Sequence, residues 1–405
     1  MTSASQPTEL NTDVLIAGGG MVGLSQAWAL HCAGWRVCVL EQNSPSDHAD
    51  KSNYDPRLSA LSDGSWRYLQ SLGVAGHELA NQAAKINEVR VFNQHRFGLT
   101  RISAEQAGTD ALGQVVPNAA LIKRLSSLLD QHVGDWRIDG AQYQSHSSDD
   151  FGVVVQVRLA DGSSGSITAR LLIGADGACS AVREACGIQT QYHDYQQTAV
   201  VTTALPKRHH NHIAHECFTN GGPLAVLPAA DGRVSVVWVM RKNQAERRMA
   251  LGNTAFAAEL KAALGGRLGG FTDLAPRYAY PLTLVRPREV RAKRTVLIGN
   301  AAHSLHPVAG QGFNLCLRDV RDLSRALNAD RGEKPDPGAD ALLANYAAMR
   351  QPDYQRIIGL TDALVRGFSL DLPGLSTLRG LGLSAFDGVL PLKNRLVQAT
   401  RGVGV

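Results

Sequence analysis

The sequence predicts an α/β protein: a Rossmann-like dinucleotide-binding domain interrupted by a β-sheet domain, with a helical C-terminus. Three observations carry that expectation. A glycine-rich turn joins an apolar strand to a helix near the N-terminus, and further buried-type strands recur at Leu171 and at Arg294. Between those two strands lies a stretch of short strands and turns. A chain of 405 residues also exceeds one ordinary core, so about two domains are expected.

Taken in order, Asp13-Val-Leu-Ile-Ala17 reads as a buried parallel strand. Met21 to Gly34 reads as a helix with a glycine stop, and Arg36-Val-Cys-Val-Leu40 as the next strand, completing a βαβ unit. Val89 to Asp110 loses the pattern and reads as an insertion. Leucines at 121, 125, 128 and 129 mark a helix from Asn118 to Gln131. Phe151 to Leu159 and Ser166 to Ile173 flank an Asp161-Gly162 turn as a hairpin. Strands alternate with turns from Thr198 to Met240, and the chain beyond Phe313 is mostly helical. The boundaries are a dinucleotide-binding domain in three parts, 1–85, 113–190 and 286–335. A substrate-domain insertion at 86–112, a β-rich substrate domain at 191–285 and a C-terminal helical segment at 336–405 complete the chain.

Composition excludes several classes. The net charge of +5 is not gathered into a single-sign block, which argues against nucleic acid. The six cysteines have no paired short spacing, so neither a metal site nor a disulfide framework is expected, and a reducing compartment suits them. The first dozen residues lack a basic start and an apolar run, and no stretch reaches about 18 apolar residues. A cytoplasmic location is the default expectation.

Three motifs carry chemistry. In Gly18-Gly-Gly20-Met-Val-Gly23, Gly18 permits a tight turn, Gly20 lets backbone approach a diphosphate, and Gly23 lets the helix pack on the strand. Glu41 ends the second strand, where an acid accepts hydrogen bonds from an adenosine ribose and would repel a 2′-phosphate. The second motif, Gly174-Ala-Asp176-Gly177, puts a carboxylate at the carboxyl end of a buried strand, although an Asp-Gly turn is also an ordinary turn. The third runs from Gly299-Asn300 through His303, His306, Pro307, Gly310, Gln311 and Gly312 to Phe313-Asn314. There a strand feeds a proline–glycine loop and a helix whose N-terminal dipole would stabilise an anionic reduced ring. His303 and His306 read equally as catalytic or as loop-packing residues.

In this order the three motifs resemble the flavoprotein monooxygenases of the para-hydroxybenzoate hydroxylase fold, over nearly the whole chain after the first dozen residues. Asp55-Pro-Arg57-Leu-Ser-Ala-Leu61, Asp194 to Ala199, Gly222 to Pro228, Tyr280-Pro-Leu282 and Leu378 to Leu383 resemble the ubiquinone-biosynthesis hydroxylases. Asn300 stands where the wider group usually has aspartate, and this variant is similar to the 2-polyprenyl-6-methoxyphenol hydroxylase branch.

The resemblance implies FAD as cofactor, NAD(P)H or another external electron donor, and molecular oxygen as co-substrate. A flavin hydroperoxide would transfer its distal oxygen to a phenol ring. Gly18, Gly20, Gly23 and Glu41 would hold the AMP half; Asp176, Gly177 and Asn300 the diphosphate and ribityl region; Pro307, Gly310, Gln311, Gly312, Phe313 and Asn314 the flavin ring. Arg57 would lie beside the flavin, with a surface salt bridge as its alternative. Asn118 would touch FAD, with a helix N-cap as its alternative. Phe218, Pro223 and Leu224 are the candidate substrate-pocket residues. No side chain presents itself as the phenol's base.

A polyprenylated phenol implies contact with a membrane surface, a lipid carrier or a biosynthetic complex. Arg286, Arg288, Arg291, Lys293 and Arg294, together with Lys393 and Arg395, are candidates for that contact. A homo-oligomer is compatible with this reading. The rivals are a ring hydroxylase acting on another ubiquinone precursor, a non-catalytic FAD-binding assembly subunit, and an NAD-dependent dehydrogenase.

Overall fold

In the computed structural model the described residues are 10–43, 57–94, 98–307, 310–329 and 335–369. Strand β1 (Leu10–Ala17) has Val14, Leu15 and Ile16 fully buried, as a central parallel strand covered on both faces requires. The glycine turn starts α1 (Met21–Cys32), and the helix stops where Gly34 takes a φ of +87°, a conformation that favours glycine. β2 (Val37–Glu41) returns parallel to β1. After β3 (Leu58–Ser62) come α2 (Asp63–Ser71), α3 (His77–Asn81) and β4 (Ala84–Ile86).

The segment with the lost pattern forms β5 (Glu88–Asn93) and β6 (Leu99–Ser103), which belong to the second sheet, with β5 parallel to β13 (Ile213–Thr219). Short strands at a sheet edge, with Arg90 opposite Arg101, leave only a weak alternation to read. β7 (Gly113–Pro117) pairs with β3 and β4 as a small three-stranded sheet. It runs into α4 (Asn118–His132), then β8 (Arg137–Asp139). β9 (Gln142–Ser148), β10 (Val153–Arg158) and β11 (Ser164–Gly174) follow, and β11 lies parallel to β1. A short α5 (Ala181–Ala185) ends this part.

The second sheet is built from β12 (Thr190–Pro206), β13, β14 (Gly222–Pro228) and β15 (Val234–Arg241). α6 (Lys242–Met249) and α7 (Asn253–Ala263) follow, then β16 (Phe271–Thr272) and β17 (Tyr278–Pro287). One face of this sheet supplies Cys217, Leu224, Val236 and Trp238 to a core closed by Phe256 and Leu260 of α7. The other face turns towards the first domain: Ala214 packs with Leu58 and Ala60 of β3.

The chain then returns to the first sheet through β18 (Arg291–Ala292) and β19 (Thr295–Leu297), giving the order β18-β19-β11-β1-β2-β8. α8 (Gln311–Ala329) and α9 (Asp340–Ser369) complete the described helices. α8 packs with α9 and against α1. Eight consecutive α1 residues from Gly23 to Leu30 are buried, and each fully buried leucine contributes about 2 kcal/mol. No helix among the described residues is long and apolar enough to cross a membrane. All six cysteines are free.

Candidate active site

The turns after β1, β11 and β19 converge at the carboxyl ends of the parallel strands, where open α/β sheets bind ligands. Their contacts are close. A Cβ on Gly18, whose φ is +111°, would lie 2.5 Å from the carbonyl oxygen of Ala175, so the first turn abuts the second. A Cβ on Gly299 would lie 2.9 Å from Val22, so the third turn abuts α1. Arg183, only 1% exposed, donates to the carbonyls of Ala178 (2.7 Å) and Ala301 (2.9 Å), joining the second turn to the third. Arg183 has no role in the sequence motifs above. The signal available was an arginine a few residues beyond an Asp-Gly turn, at a position that proves to be interior.

The glycines divide by cause. Gly23 is demanded by the protein itself, because a Cβ there would sit 1.9 Å from the Gly18 carbonyl oxygen. Around Gly20 a Cβ would meet nothing within 4 Å. Gly20 also caps α1 without a side-chain bond, which leaves the first-turn amides for an anion. The Glu41 carboxylate accepts from the backbone amides of Gly19 (2.8 Å) and Asn43 (2.9 Å), so it fixes the turn while keeping lone pairs for a ribose.

Asp176 is placed to bind something. Its Oδ2 accepts from the Val182 amide at 3.1 Å, whereas Oδ1 is buried with no partner among the described residues. Such an atom is costly unless a ligand or water satisfies it. At Gly177, whose φ is +87°, an added Cβ would meet nothing within 4 Å. We expect Asp176→Ala to weaken FAD binding about tenfold, the worth of one hydrogen bond to a charged group. A fluorescence titration with unchanged affinity would contradict this.

The third turn is anchored from below. Asp319 on α8, with no exposure, accepts from the Gly299 amide (2.9 Å), His303 Nε2 (2.7 Å), Arg350 Nε (2.9 Å) and the Tyr354 hydroxyl (2.7 Å). Burial opposes its ionisation, but His303, Arg350 and the Gly299 amide hold its pKa below the ordinary carboxylate value. His303 is therefore a loop anchor. Asn300, one residue beyond Gly299, is exposed on the turn, with its Oδ1 3.9 Å from Cys316 Sγ.

His306 links the two domains. Gln197 donates its amide to the Gly221 carbonyl, so its Oε1 accepts, at 3.0 Å, a proton held on His306 Nε2. Burial pushes the His306 pKa down to about 4. Burial likewise lowers His210 and His215 to about 4, aided by the charges of His209 and His212 and of Arg90 and Arg267 respectively. Unfolded imidazoles titrate near 6.5, so below that pH the unfolded chain binds more protons. Stability present above pH 6.5 is thus expected to fall as pH drops towards 4, by roughly 1.4 kcal/mol per unit for each buried histidine. A urea midpoint that stays level over that range would contradict this.

At the head of α8, Gly310 (φ +61°) packs on β3, where a Cβ would meet Ala60 at 3.3 Å, and its amide reaches the Pro307 carbonyl at 3.4 Å. A Cβ on Gly312 would meet nothing, whereas Gln311 is buried and accepts from Arg318. Phe313 packs against the main core. Asn314 commits its side chain to protein: it accepts from the Ser62 amide (2.8 Å) and donates to the carbonyls of Ala60 (2.8 Å) and Gly310 (2.7 Å). It fixes the loop onto β3. Arg57 stands over the Tyr280 ring at 5.4 Å, bridging the domains. Asn118 is the first residue of α4, not its cap, and accepts from Ser59 Oγ at 2.7 Å.

On the second sheet, Phe218 pairs in register with Pro223 and both lie on the face turned to the first domain. Leu224 does not line a pocket there. Strand alternation turns it to the other face, where it is fully buried in the core under α7. The basic stretch is also corrected: Arg294 is buried and ion-paired with Asp336 (2.8 Å), while Arg291 pairs with Asp340 and Lys293 with Asp150 (2.7 Å). Arg286 and Arg288 remain exposed; Leu378 to Leu383, Lys393 and Arg395 lie outside the described residues. No metal-binding group of His, Cys, Asp or Glu is present among the described residues.

Open space at Gly20, the unsatisfied Asp176 oxygen and two helix N-termini at one cleft fit an FAD. The FAD binding domain family matches residues 11–361. The chain is 37% identical to "Ubiquinone hydroxylase UbiL" of Rhodospirillum rubrum, over 96% of this chain and 89% of that protein. It is 31% identical to a 3-demethoxyubiquinol 3-hydroxylase of Escherichia coli, over 98% and 100%. In fold it is similar to the crystal structure of a p-nitrophenol 4-monooxygenase from Pseudomonas putida, with a TM-score of 0.80 at 18% identity, covering 98% and 100% of the two chains. These matches, on a cleft built for FAD, place the chain in the FAD binding domain family, among the FAD-dependent monooxygenases of ubiquinone-biosynthesis hydroxylase type.

Proposed function

We propose that the protein hydroxylates the ring of a 2-polyprenyl-6-methoxyphenol-type ubiquinone precursor. The observation that carries this reading is the sheet face opposite the α8 N-terminus. There Val91, Phe218, Pro223, Ala225 and Val237 form an apolar floor, and Val91, Ala225 and Val237 are only half-buried although the first domain covers that face. An apolar floor suits a prenylated ring.

Reduced flavin, with electrons from NAD(P)H or another donor, and molecular oxygen supply the electrophilic oxygen atom. The protein's own part is positioning and exclusion of water. The Gly18–Gly23 turn and Glu41 would hold the AMP half, Asp176 and Asn300 the middle, and the amides of Gly310 to Gly312 the ring. His306, Gln197, Arg57 and Tyr280 keep the substrate sheet closed over that ring. A polyprenyl tail requires the protein to collect its substrate from a membrane surface or a lipid carrier, and Arg286 and Arg288 are the exposed cations offered for that contact.

The test is an absorption spectrum of the protein reconstituted with FAD, then anaerobic reduction by NADH and NADPH with and without 2-prenyl-6-methoxyphenol. Flavin bands that bleach faster with the phenol are expected. Flavin that neither nucleotide reduces would point to a separate reductase. No flavin binding would end the proposal.

A further inference from the structure

We propose that Glu216 is the acid–base residue of this site, taking the proton of the substrate's phenol hydroxyl during ring attack and returning it afterwards. The inference rests on the ring-hydroxylase reading above.

The placement follows from strand alternation. In β13, Cys217 points to α7, donating to the Ala263 carbonyl, and His215 lies on the same side with its ring against Phe92. Ala214, Glu216 and Phe218 therefore point to the first domain, and Ala214 packs with Leu58 and Ala60 there. Ala60 is also the side chain nearest to Gly310 at the head of α8. Glu216 thus projects from the substrate sheet on the side that meets the flavin-loop end of the first domain.

Its surroundings are apolar. The register sets Val91 and Ala225 directly beside Glu216, and Val237 beside Ala225. Glu216 has no hydrogen bond or ion pair among the described residues. It is half-buried, as are Val91, Ala225 and Val237, whereas His215, Cys217, Leu224, Val236 and Trp238 on the opposite face are buried. The sheet therefore has one half-buried carboxylate among apolar neighbours on the face turned to the first domain. A carboxylate kept there without a partner costs folding free energy, so a structural role does not explain it.

The chemistry follows from that environment. Burial alone raises the Glu216 pKa to about 7, which poises the group to exchange a proton with a phenol near neutral pH. The other titratable groups on this face of the sheet or at its contacts with the first domain are Tyr278 and Tyr280 of β17, Arg57, His306, and Asp362 of α9, which contacts β14; Arg90, His215, Cys217 and Arg267 lie behind its strand. As the carboxylate takes the proton, the O–H bonding pair stays on the ring oxygen and enriches the ring carbon that is attacked. One oxygen atom of dioxygen forms the new ring C–O bond and the other leaves as water; rearomatisation releases the ring C–H proton to solvent, and the carboxylic acid gives its proton back to the ring oxygen. The exchange is redox-neutral, and oxygen and reduced flavin supply the oxidation.

The experiment compares wild type, Glu216→Gln and Glu216→Asp, each loaded with FAD, for hydroxylation of 2-prenyl-6-methoxyphenol from pH 5.5 to 8.5. Flavin content and dithionite reduction serve as controls. Expected is a wild-type rate that climbs through about pH 7. In Glu216→Gln the rate should fall about a hundredfold and lose that limb, with flavin content unchanged. Glu216→Gln turning over at the wild-type rate, with the wild-type profile, overturns the proposal. If that variant fails to load FAD, Glu216→Asp decides: a drop of tenfold or more at unchanged FAD content supports the role, and a wild-type rate overturns it. Wild type that holds FAD yet hydroxylates no phenol overturns the proposed function first, and this inference with it.

Discussion

Asp319→Asn is expected to destabilise the protein by about 3–5 kcal/mol, the usual cost of breaking a buried ion pair from one side, and to empty the flavin cleft. The carboxylate accepts four bonds at once, from Gly299, His303, Arg350 and Tyr354. Asparagine offers one acceptor oxygen, and its amide group would point two hydrogens at donors. Arg350 would keep only Asp322 (3.1 Å) and Asp353 (2.8 Å). The Gly299–Asn300 turn would lose the bond that ties it to α8, so cofactor loss should accompany the lower urea midpoint. Asp319→Asn with an unchanged midpoint and full flavin would contradict this account of the anchor.

Gly23→Ala is expected to weaken FAD binding by roughly tenfold to a hundredfold, from an overpacking strain of about 1–3 kcal/mol. The added methyl would lie 1.9 Å from the Gly18 carbonyl oxygen, backbone against backbone, and no rotamer relieves that. The whole first turn of α1 must shift. Gly20→Ala separates the two uses of glycine, because its methyl meets no protein atom. That variant should fold with wild-type stability and still lose FAD affinity, since the methyl occupies the space a diphosphate needs. Equal stability loss in both variants would show that the space at Gly20 serves packing alone.

The elements that were legible in the sequence are those with strong local signals. The strand–glycine–helix unit from Asp13 to Leu40, the α4 leucine stripe and the strand that leads into Gly299 need little tertiary context. What escaped depends on which way a side chain points. Leu224 and Pro223 are neighbours in sequence, yet alternation sends one to the core and the other to the cleft. Arg294 sits in a run of basic residues but is interior, paired with Asp336 across a chain separation no local pattern reveals. Asp319 lies inside a helix rich in charge, where nothing in the sequence distinguishes a buried hub from a solvated aspartate. Glu216 was hidden in the same way: an acid within a short apolar strand becomes informative only once its face is known.

The most direct test of the central claim is the source of the oxygen in the product. FAD-loaded protein, a reductant and 2-prenyl-6-methoxyphenol would be incubated under isotopically labelled dioxygen and the product weighed by mass spectrometry. The account predicts a ring carrying one labelled hydroxyl, formed only when both flavin and phenol are present. Reduced flavin that consumes dioxygen while leaving each phenol unchanged would contradict it.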